Sequence, residues 1–139
     1  MTLLQPQPEG IPVPRPSAVS EPYWEGCRAG ELRFQRCAAC RAVVFQPSVI
    51  CPVCAGRELA WEVSAGRGRL YSWTVVWRPQ TPAFRVPYAP AIVELDEGFR
   101  LVTSIVGCEP DDLRPDLEVT IEFHPAGDGV MLPYARVST

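Results

Sequence analysis

Two Cys-x-x-Cys pairs constrain this chain more than any other feature of its sequence. Cys37 and Cys40 form the first pair, and Cys51 and Cys54 form the second. Each pair can fold into a tight knuckle that presents two thiolates on one side, and two facing knuckles supply the four sulfurs of a closed tetrahedral zinc site. We therefore predict that these four cysteines bind one structural zinc ion, which holds the fold and performs no chemistry.

Two alternative explanations of the cysteine pairs are weaker. A pair of disulfides would require a secreted protein, but the segment from Met1 to Gly10 carries only Leu3 and Leu4 as a hydrophobic pair before the prolines begin. Such a segment has neither a signal core nor a membrane span, so we expect a cytoplasmic protein with no membrane role. A thioredoxin-like redox site would require one such motif at the start of a helix, and this chain has two in a proline-broken segment.

The stretch between the two pairs is short. Ten residues separate Cys40 from Cys51, whereas about fifteen to twenty are usual in such sites. A short β-hairpin that carries Val43, Val44 and Phe45 can fill this distance, so the spacing still favours a zinc ribbon.

The remaining candidate reactive side chains lack an activating neighbour in the sequence. Cys27 and Cys108 lie outside the quartet, and a thiol needs a nearby base or cation to become a useful thiolate. We expect both to be small buried hydrophobic residues. His124, the single histidine, is expected to be exposed where a strand ends at Pro125. The sequence therefore predicts no catalytic residues.

Charge is distributed unevenly along the chain. Of the 139 residues, 47% are hydrophobic and 21% are charged, which suits one compact domain with a small appendage and excludes disorder throughout. Nine arginines and three glutamates lie between Arg28 and Arg85, whereas three arginines and ten acidic residues lie from Val86 onward. The arginine-rich part could attract a phosphate-bearing ligand or an acidic protein face. Alternatively, its arginines are solvated or paired with the acidic part of the same molecule.

The first part of the chain predicts an arm followed by a helix. Six prolines lie between Gln5 and Pro22, so residues 1–20 are predicted to be an extended, polyproline-like, flexible arm. Ordering on a partner, with Ile11 and Val13 as apolar contacts, is the alternative.

A short helix is predicted within residues 21–36. Apolar side chains recur at helical spacing from Glu21 to Leu32, with Ser20 as a potential cap and Pro22 in the first turn, and the helix should end near Gly30. The zinc ribbon then occupies residues 37–60, with Gly56 closing the second knuckle, and a β domain occupies residues 61–139.

Beyond Trp61 the hydrophobic period changes to two, which is typical of half-buried strands. The predicted strands are Leu70–Trp77, Ala91–Leu95, Phe99–Val106, Glu118–Phe123 and Val130–Val137. A short five-stranded Greek-key barrel of the oligonucleotide/oligosaccharide-binding (OB) type fits this number of strands and the small size. The predicted fold class is therefore mainly β, with a short N-terminal helix, a rubredoxin-like zinc ribbon and an OB-fold barrel.

Several details of the barrel are also predicted. Strict alternation from Leu70 to Trp77 would place Tyr71, Trp73, Val75 and Trp77 on one face. Pro133 would make the last strand an edge strand or a bulged one. The segment Glu109 to Leu113 is expected to form a single helical turn, and Gly66 and Gly68 would permit the sharp bend that a small barrel needs.

The connection between the first two strands predicts a contact surface. Arg78 to Pro90 holds four prolines in thirteen residues, so it should be a stiffened loop. In barrels of this type that loop borders the binding face, and Phe84, Arg85 and Tyr88 are the candidate ligand or partner contacts. The alternative is that Phe84 and Tyr88 plug the barrel mouth.

A series of motifs, taken in order, resembles a known family. They are Tyr23-Trp24-Glu25, Gly30-Glu31-Leu32, Gln35-Arg36-Cys37-x-x-Cys40, Cys51-Pro52-x-Cys54, Gly66-x-Gly68-x-Leu70-Tyr71-Ser72-Trp73-Thr74-Val75-Val76, Pro87-Tyr88, the run from Ala91 to Gly98, and Val106-Gly107-Cys108-x-Pro110-x-Asp112-Leu113. This order is similar to the zinc-ribbon OB-fold family associated with acyl-CoA enzymes, over about Tyr23 to Val137. Arg41 follows Cys40 where knuckles commonly have glycine, which affects the geometry of the first knuckle but not its ligands.

The resemblance implies an accessory subunit and not a free-standing catalyst. Members of the family are small partners of thiolase-like proteins, including thiolases, 3-hydroxy-3-methylglutaryl-CoA synthase assemblies, acyltransferases and sterol side-chain aldolases related to lipid-transfer proteins. The partner supplies the nucleophilic cysteine and the acid/base groups. The chain is then expected to dock on such an enzyme and to complete or stabilise its acyl-CoA channel, with Phe84, Arg85 and Tyr88 beside the channel and the arginine meeting coenzyme A phosphates.

Two other functions are alternatives to an accessory subunit. A zinc ribbon joined to an OB barrel also suits a single-stranded nucleic-acid binder, with Tyr71, Trp73 and Trp77 as a stacking platform. The net charge of -3, the pI of about 5.2 and the acidic C-terminal part argue against this function. An independent acyl-CoA hydrolase would need a base and a nucleophile that the sequence does not place.

Overall fold

Residues 2–138, which the computed structural model describes, form one α-helix, eight strands and one 3₁₀ turn. In chain order the elements are α1 Glu21–Arg28, β1 Arg33–Cys37, β2 Val43–Val44, β3 Leu59–Val63, β4 Arg67–Trp73, β5 Ala89–Leu95, β6 Arg100–Val106, the 3₁₀ turn Pro110–Asp112, β7 Glu118–Gly127 and β8 Val130–Val137. The strands form a small sheet in the order β2-β1-β3 and a closed barrel in the order β4-β5-β6-β8-β7. The mainly β fold predicted from the sequence is therefore confirmed.

The barrel is closed by pairing between its first and fourth strands in chain order. Strand β4 pairs antiparallel with both β5 and β7, and only β6 and β8 run parallel, over a two-residue ladder. In β7 the predicted alternation is present, because Val119 and Ile121 are buried while Glu118 and Thr120 are exposed. The helical turn expected between the third and fourth barrel strands is the 3₁₀ turn.

The approach to β4 depends on two glycines. Gly66 has a φ of +73°, a left-handed conformation that glycine adopts without steric cost. A Cβ atom on Gly68 would lie 2.3 Å from the carbonyl oxygen of Glu94. Strands β4 and β5 therefore approach each other here more closely than any larger residue permits.

The predicted alternation along β4 is wrong beyond Leu70, because the strand contains a β-bulge. Leu70 pairs with Val93 and Ser72 pairs with Ile92, which leaves Tyr71 as an extra residue. A bulge reverses the faces of the residues that follow it. Leu70 is fully buried and Trp73 packs against the same core, whereas Tyr71 is 54% exposed.

The last two strands also differ from the prediction. Strand β7 does not end at Pro125 but continues to Gly127, so His124 lies within a strand and is half-buried, not exposed. Strand β8 is not a free edge, because it pairs with β7 along its length and with β6 at Ala135 and Arg136. Pro133 lies before the β6 ladder begins, so its missing N–H group costs no hydrogen bond there.

Helix α1 begins and ends where the sequence predicted, but its cap differs. Ser20 occupies the N-cap position without a capping hydrogen bond. Its hydroxyl oxygen instead accepts a hydrogen bond from the Ser17 backbone N–H at 2.9 Å. Pro22 lies in the first turn, and Gly30 follows the helix with a φ of +78°.

The ribbon, the helix and the barrel share one hydrophobic core. Phe45, which follows β2, stacks on Phe99 of the β5–β6 turn with ring centroids 4.6 Å apart, and Phe34 of β1 lies 5.1 Å from the same ring. Tyr23 of α1 contacts Phe45 edge to face. The cysteine knuckles are thus attached to the barrel through a layer of aromatic side chains.

The N-terminal arm does not lack fixed structure, contrary to the prediction. Leu4 is 1% exposed and Gln7 is 8% exposed. The N–H of Leu4 donates to Cys108 O at 2.8 Å, and the N–H of Gly107 donates to Leu4 O at 3.0 Å. The arm is extended as expected, but it is bound along the barrel, because its apolar and amide side chains find partners far away in the sequence.

Both ends of the described chain lie at one corner of the barrel. Leu3, Val137 and Ser138 line a single cleft beside Cys108, and the N–H of Ser138 donates to Glu118 O at 2.9 Å.

No helix within residues 2–138 is long and apolar enough to cross a membrane.

Candidate functional site

The four predicted ligands converge on one point of the ribbon. The Sγ atoms of Cys37, Cys40, Cys51 and Cys54 all lie within 4.8 Å of one another. The Cys37–Cys54 and Cys40–Cys51 sulfur pairs are each 3.6 Å apart. Four sulfurs placed about 2.3 Å from a zinc ion in a tetrahedron lie about 3.8 Å apart. The donor set therefore fits a tetrahedral zinc ion in both its chemistry and its size.

The two knuckles have the same backbone geometry. The N–H of Arg41 donates to Cys37 O at 2.9 Å, and the N–H of Ala55 donates to Cys51 O at 2.9 Å. Arg41 and Ala55 have φ values of 67° and 65°, a left-handed conformation that is costly for residues other than glycine. Arg41 therefore adopts the left-handed conformation that glycine commonly takes at this position, and the first knuckle has the same shape as the second.

Backbone amides point at the sulfurs and influence their protonation. The amide of Cys40 lowers the pKa of the Cys37 thiol to about 7. The amide of Ala42 acts in the same direction on Cys40, but burial and the three neighbouring thiols outweigh it and raise the pKa of Cys40 to about 12. The backbone thus favours the thiolate of Cys37, whereas the clustering of the thiols opposes that of Cys40, and a bound divalent cation would favour thiolates at its ligands.

The arginine-rich part keeps much of its positive charge. Arg33 and Arg36 form ion pairs with Glu31 and Glu62 within the same part of the chain. Arg69 alone of this group reaches the acidic part, through Glu118 at 3.7 Å. Within residues 28–85, five exposed arginines have no acidic partner within ion-pair distance among the described residues; they are Arg41, Arg57, Arg67, Arg78 and Arg85.

Two of the three candidate contact residues line an aromatic cleft. Phe84 and Tyr88 stack with ring centroids 5.7 Å apart, and they border a cleft of about 260 Å³. The remaining lining residues come from the arm, α1, β6 and β8; they are Gln7, Ile11, Tyr23, Trp24, Val102, Thr103, Ser104, Leu132, Pro133 and Tyr134. The aromatic cleft contains no charged side chain among these residues, so it suits an apolar or aromatic group.

The third candidate, Arg85, does not line the aromatic cleft. It is exposed, and its Nη1 group donates to Gln5 Oε1 at 2.9 Å and to Pro6 O at 3.3 Å. The guanidinium group therefore lies against the arm, beside the aromatic cleft and not inside it.

Sequence reasoning missed the walls that face Phe84 and Tyr88. Tyr23 and Trp24 carried a helical pattern but no signal for a cleft. Gln7 was one polar residue in a proline-rich arm. Nothing local to these positions indicates that the fold brings them together.

The aromatic platform required for nucleic-acid stacking is not present. Trp77 and Tyr71 are exposed, at 60% and 54%, but the bulge turns Trp73 toward the core. One face of the Tyr71 ring is occupied by Arg100, whose guanidinium carbon lies 4.0 Å from the ring centroid.

The other reactive side chains are structural. Cys27 is fully buried, and burial raises the pKa of its thiol to about 11. Cys108 is buried as well, and burial followed by the nearby charge of Asp112 raises its pKa. His124 contacts the Glu122 carboxylate and packs edge to face on Tyr134, with ring centroids 5.4 Å apart. Burial thus favours the thiol form of both cysteines, and His124 shares the Glu122 carboxylate with Arg136.

Two family sequence models match adjacent parts of the chain. "ChsH2, rubredoxin-like zinc ribbon domain" matches residues 24–60, and "ChsH2, C-terminal OB-fold domain" matches residues 61–124. The first covers both knuckles, and the second covers the barrel from β4 into β7.

Two curated relatives are similar to this chain over much of its length. A probable enoyl-CoA hydratase alpha subunit of Thermomonospora curvata is 38% identical over 125 residues, which are 88% of this chain and 39% of that protein. A DUF35 domain-containing scaffold protein of Methanothermobacter thermautotrophicus is 38% identical over 95 residues, which are 66% of this chain and 71% of that protein. The chain thus spans about two fifths of the first relative and most of the second.

A solved structure described as an Ltp2-ChsH2(DUF35) aldolase contains a similar chain. The two chains superimpose with a TM-score of 0.85 at 35% identity, over 91% of this chain and 100% of the other. The likeness therefore extends over most of this chain and all of the other.

Proposed function

The chain belongs to the ChsH2 family of zinc-ribbon and OB-fold proteins, and from that membership we propose that it is a non-catalytic accessory subunit of a thiolase-like acyl-CoA enzyme. The partner would be a thiolase or a lipid-transfer-type aldolase that supplies the catalytic groups. The observation that carries the proposal is the likeness, over 91% of this chain, to the chain in a structure described as an Ltp2-ChsH2(DUF35) aldolase. The resemblance read from the sequence motifs supports the same class of partner.

The metal site has a structural part in this function. Cys37, Cys40, Cys51 and Cys54 would hold one zinc ion, and a zinc ion with four protein ligands keeps no open position for substrate. The two knuckles meet at these sulfurs, so the ion would hold the ribbon in the shape that packs on the barrel. Its removal should therefore act on folding and assembly, with no direct effect on a chemical step.

The aromatic cleft and its neighbouring arginine are the proposed contacts with acyl-CoA or with the partner at its acyl-CoA site. Phe84 and Tyr88 offer stacked aromatic surface, which suits an adenine ring or an apolar acyl portion. Arg85 is exposed beside them, and a guanidinium group is well suited to bind the phosphates of coenzyme A. In this arrangement the chain helps to form or stabilise the acyl-CoA site of the complex.

Affinity purification of the chain from its host tests the assembly. We expect a protein of the thiolase fold to co-purify at a fixed ratio and to be identified by mass spectrometry. Recovery of single-stranded nucleic acid alone, with binding that weakens steeply as salt rises, would contradict the proposal and would support the nucleic-acid function.

The Arg85→Ala variant of the purified complex tests the ligand contact. Acyl-CoA affinity should fall about tenfold, because a hydrogen bond to a charged group contributes about 1.5 kcal/mol or more. Isothermal titration with octanoyl-CoA measures the change, and Arg78→Ala, which removes an exposed arginine of the same loop, is the matched control. The Gln5→Ala variant removes the hydrogen bond between the Arg85 guanidinium group and the Gln5 side chain of the arm but keeps the guanidinium group itself. Unchanged affinity in Arg85→Ala would remove this residue from the site.

A further inference from the structure

Gln7 is a buried polar residue in a segment that the sequence predicted to be flexible. It lies in the proline-rich arm and is 8% exposed. Its Nε2 group donates to Arg85 O at 2.9 Å, and the Arg85 N–H donates to Gln7 Oε1 at 2.7 Å. The carboxamide therefore satisfies both backbone groups of one loop residue, as a neighbouring strand would.

The arm around Gln7 is attached on both sides. Leu4 exchanges backbone hydrogen bonds with Gly107 and Cys108 at the end of β6, and the N–H of Gly10 donates to Ala126 O of β7 at 3.3 Å. The Gln7 N–H donates to the Tyr134 hydroxyl of β8 at 3.1 Å. Residues 4–10 thus run along the barrel from the end of β6 to the end of β7, with Gln7 near the middle of this segment.

The loop that Gln7 contacts has few other attachments. Where the chain passes from β4 to β5, Val76 and Tyr88 form an isolated antiparallel β-bridge. The N–H of Phe84 donates locally to Thr81 O at 3.2 Å. The pair of hydrogen bonds from Gln7 joins the loop to the arm directly between Phe84 and Tyr88, the two aromatic residues of the cleft.

Gln7 and Ile11 of the arm line the same aromatic cleft as Phe84 and Tyr88 of the loop. The Gln7 side chain connects these two parts of the lining through the Arg85 backbone, and the Arg85 side chain adds contacts with Gln5 and Pro6. Movement of the arm away from the barrel would remove its part of the lining and free the loop at the same time.

We propose that Gln7 is a positioning residue that ties the 78–90 loop to the N-terminal arm and thereby sets the shape of the aromatic cleft. This inference rests on the proposed function only where it concerns acyl-CoA. Gln7 acts through the Arg85 backbone and not by contact with the ligand. The arm is then a working part of the site and not an appendage.

Hydrogen exchange measured by NMR on the full chain tests the tie without any partner. The Gln7→Met variant keeps the side-chain length and removes both hydrogen bonds. We expect the Arg85 amide to exchange at least tenfold faster, while the Gly107 amide, which donates to Leu4, keeps its protection. Gln80→Met, the same change at an exposed position of the same loop, should alter neither amide.

The Gln7→Glu variant provides a second measurement if Gln7→Met does not fold. A carboxylate can still accept from the Arg85 N–H but cannot donate to the Arg85 carbonyl, so exchange at Arg85 should be faster than in the wild type. Unchanged exchange at Arg85 in either variant, once folded, would overturn the tie. Equal loss of protection at Arg85 and Gly107 would also overturn it, because Gln7 would then only hold the arm in place.

Binding of octanoyl-CoA to the complex of each variant with its enzyme partner tests the positioning role. We expect Gln7→Met to weaken binding about fivefold to tenfold and Gln80→Met to leave it unchanged. If the loop is freed but binding is unchanged, the positioning role is wrong. If the wild-type complex itself does not bind octanoyl-CoA, the proposed function fails, and the exchange result still decides whether the tie exists.

Discussion

At the scale of single residues, Glu122 joins the last two barrel strands by charge. Arg136 Nη2 donates to Glu122 Oε2 at 2.9 Å, and His124 contacts the same carboxylate. The hydrogen bond from Arg136 is the main reason that the pKa of Glu122 is lowered, with a smaller effect of the same sign from His124. The charged form of Glu122 is therefore favoured in the folded state.

This pairing predicts a pH dependence of stability. A carboxyl group with a lowered folded pKa contributes stability above its unfolded pKa, near 4.5, and loses it as the pH falls through the folded value. The Arg136→Met variant should be less stable than the wild type by less than about 1 kcal/mol at pH 7, because the pair is partly exposed. The difference should shrink below pH ~4.5. Urea unfolding across pH measures it, with Arg114→Met as a charge-matched control; a difference independent of pH would contradict the assignment.

The cysteine quartet shows which residue-scale predictions succeed from sequence alone. Each knuckle spans four residues, so its geometry is local, and the sequence predicted the four sulfurs that the structure brings together. Gln7 shows the opposite case. Its partner Arg85 lies 78 residues away, and no local pattern indicates which backbone group a lone glutamine will meet.

At the scale of elements, the arm contributes to stability through Leu4, its most deeply buried side chain. Leu4 is buried in the main core at 1% exposure, whereas the adjacent Leu3 is 54% exposed. Leu4→Ala should destabilise the protein by about 2 to 4 kcal/mol, because the change leaves a cavity in the core. Leu3→Ala should cost less than about 0.5 kcal/mol. Chemical denaturation of both variants measures the difference, and equal effects would show that the arm is not part of the core.

The strands show why element boundaries were only partly predictable. The period of two located all five barrel strands, because alternation reports burial on one face. The bulge at Tyr71 was not visible, since an extra residue in a strand changes the register without changing the composition. The alternation was therefore correct for β7 and wrong for the second half of β4.

At the scale of the whole molecule, the shared core couples the ribbon to the barrel. Phe34 and Phe45 come from the ribbon and both contact Phe99 of the barrel. A structural zinc site of this kind contributes on the order of 10 kcal/mol to folding. Loss of the ion should therefore release the knuckles and also weaken the barrel through this aromatic layer.

Chelation of the purified chain measures this coupling. Removal of zinc should abolish amide protection in the ribbon and lower the melting temperature of the barrel, and zinc content should fall from one ion per chain to none. Cys51→Ser should behave like the chelated protein, whereas Cys108→Ala, which changes a cysteine outside the quartet, should keep its zinc. A barrel that melts at the same temperature with and without the ion would show that the two parts fold independently.

The position of the two chain ends has a consequence for how this fold can be connected to other domains. Leu3 and Ser138 border the same cleft at one corner of the barrel. A polypeptide joined before the arm and one joined after β8 would therefore emerge side by side. Fusion at one end or the other would place an added enzyme domain in nearly the same location, so gene order need not dictate the geometry of such a fusion.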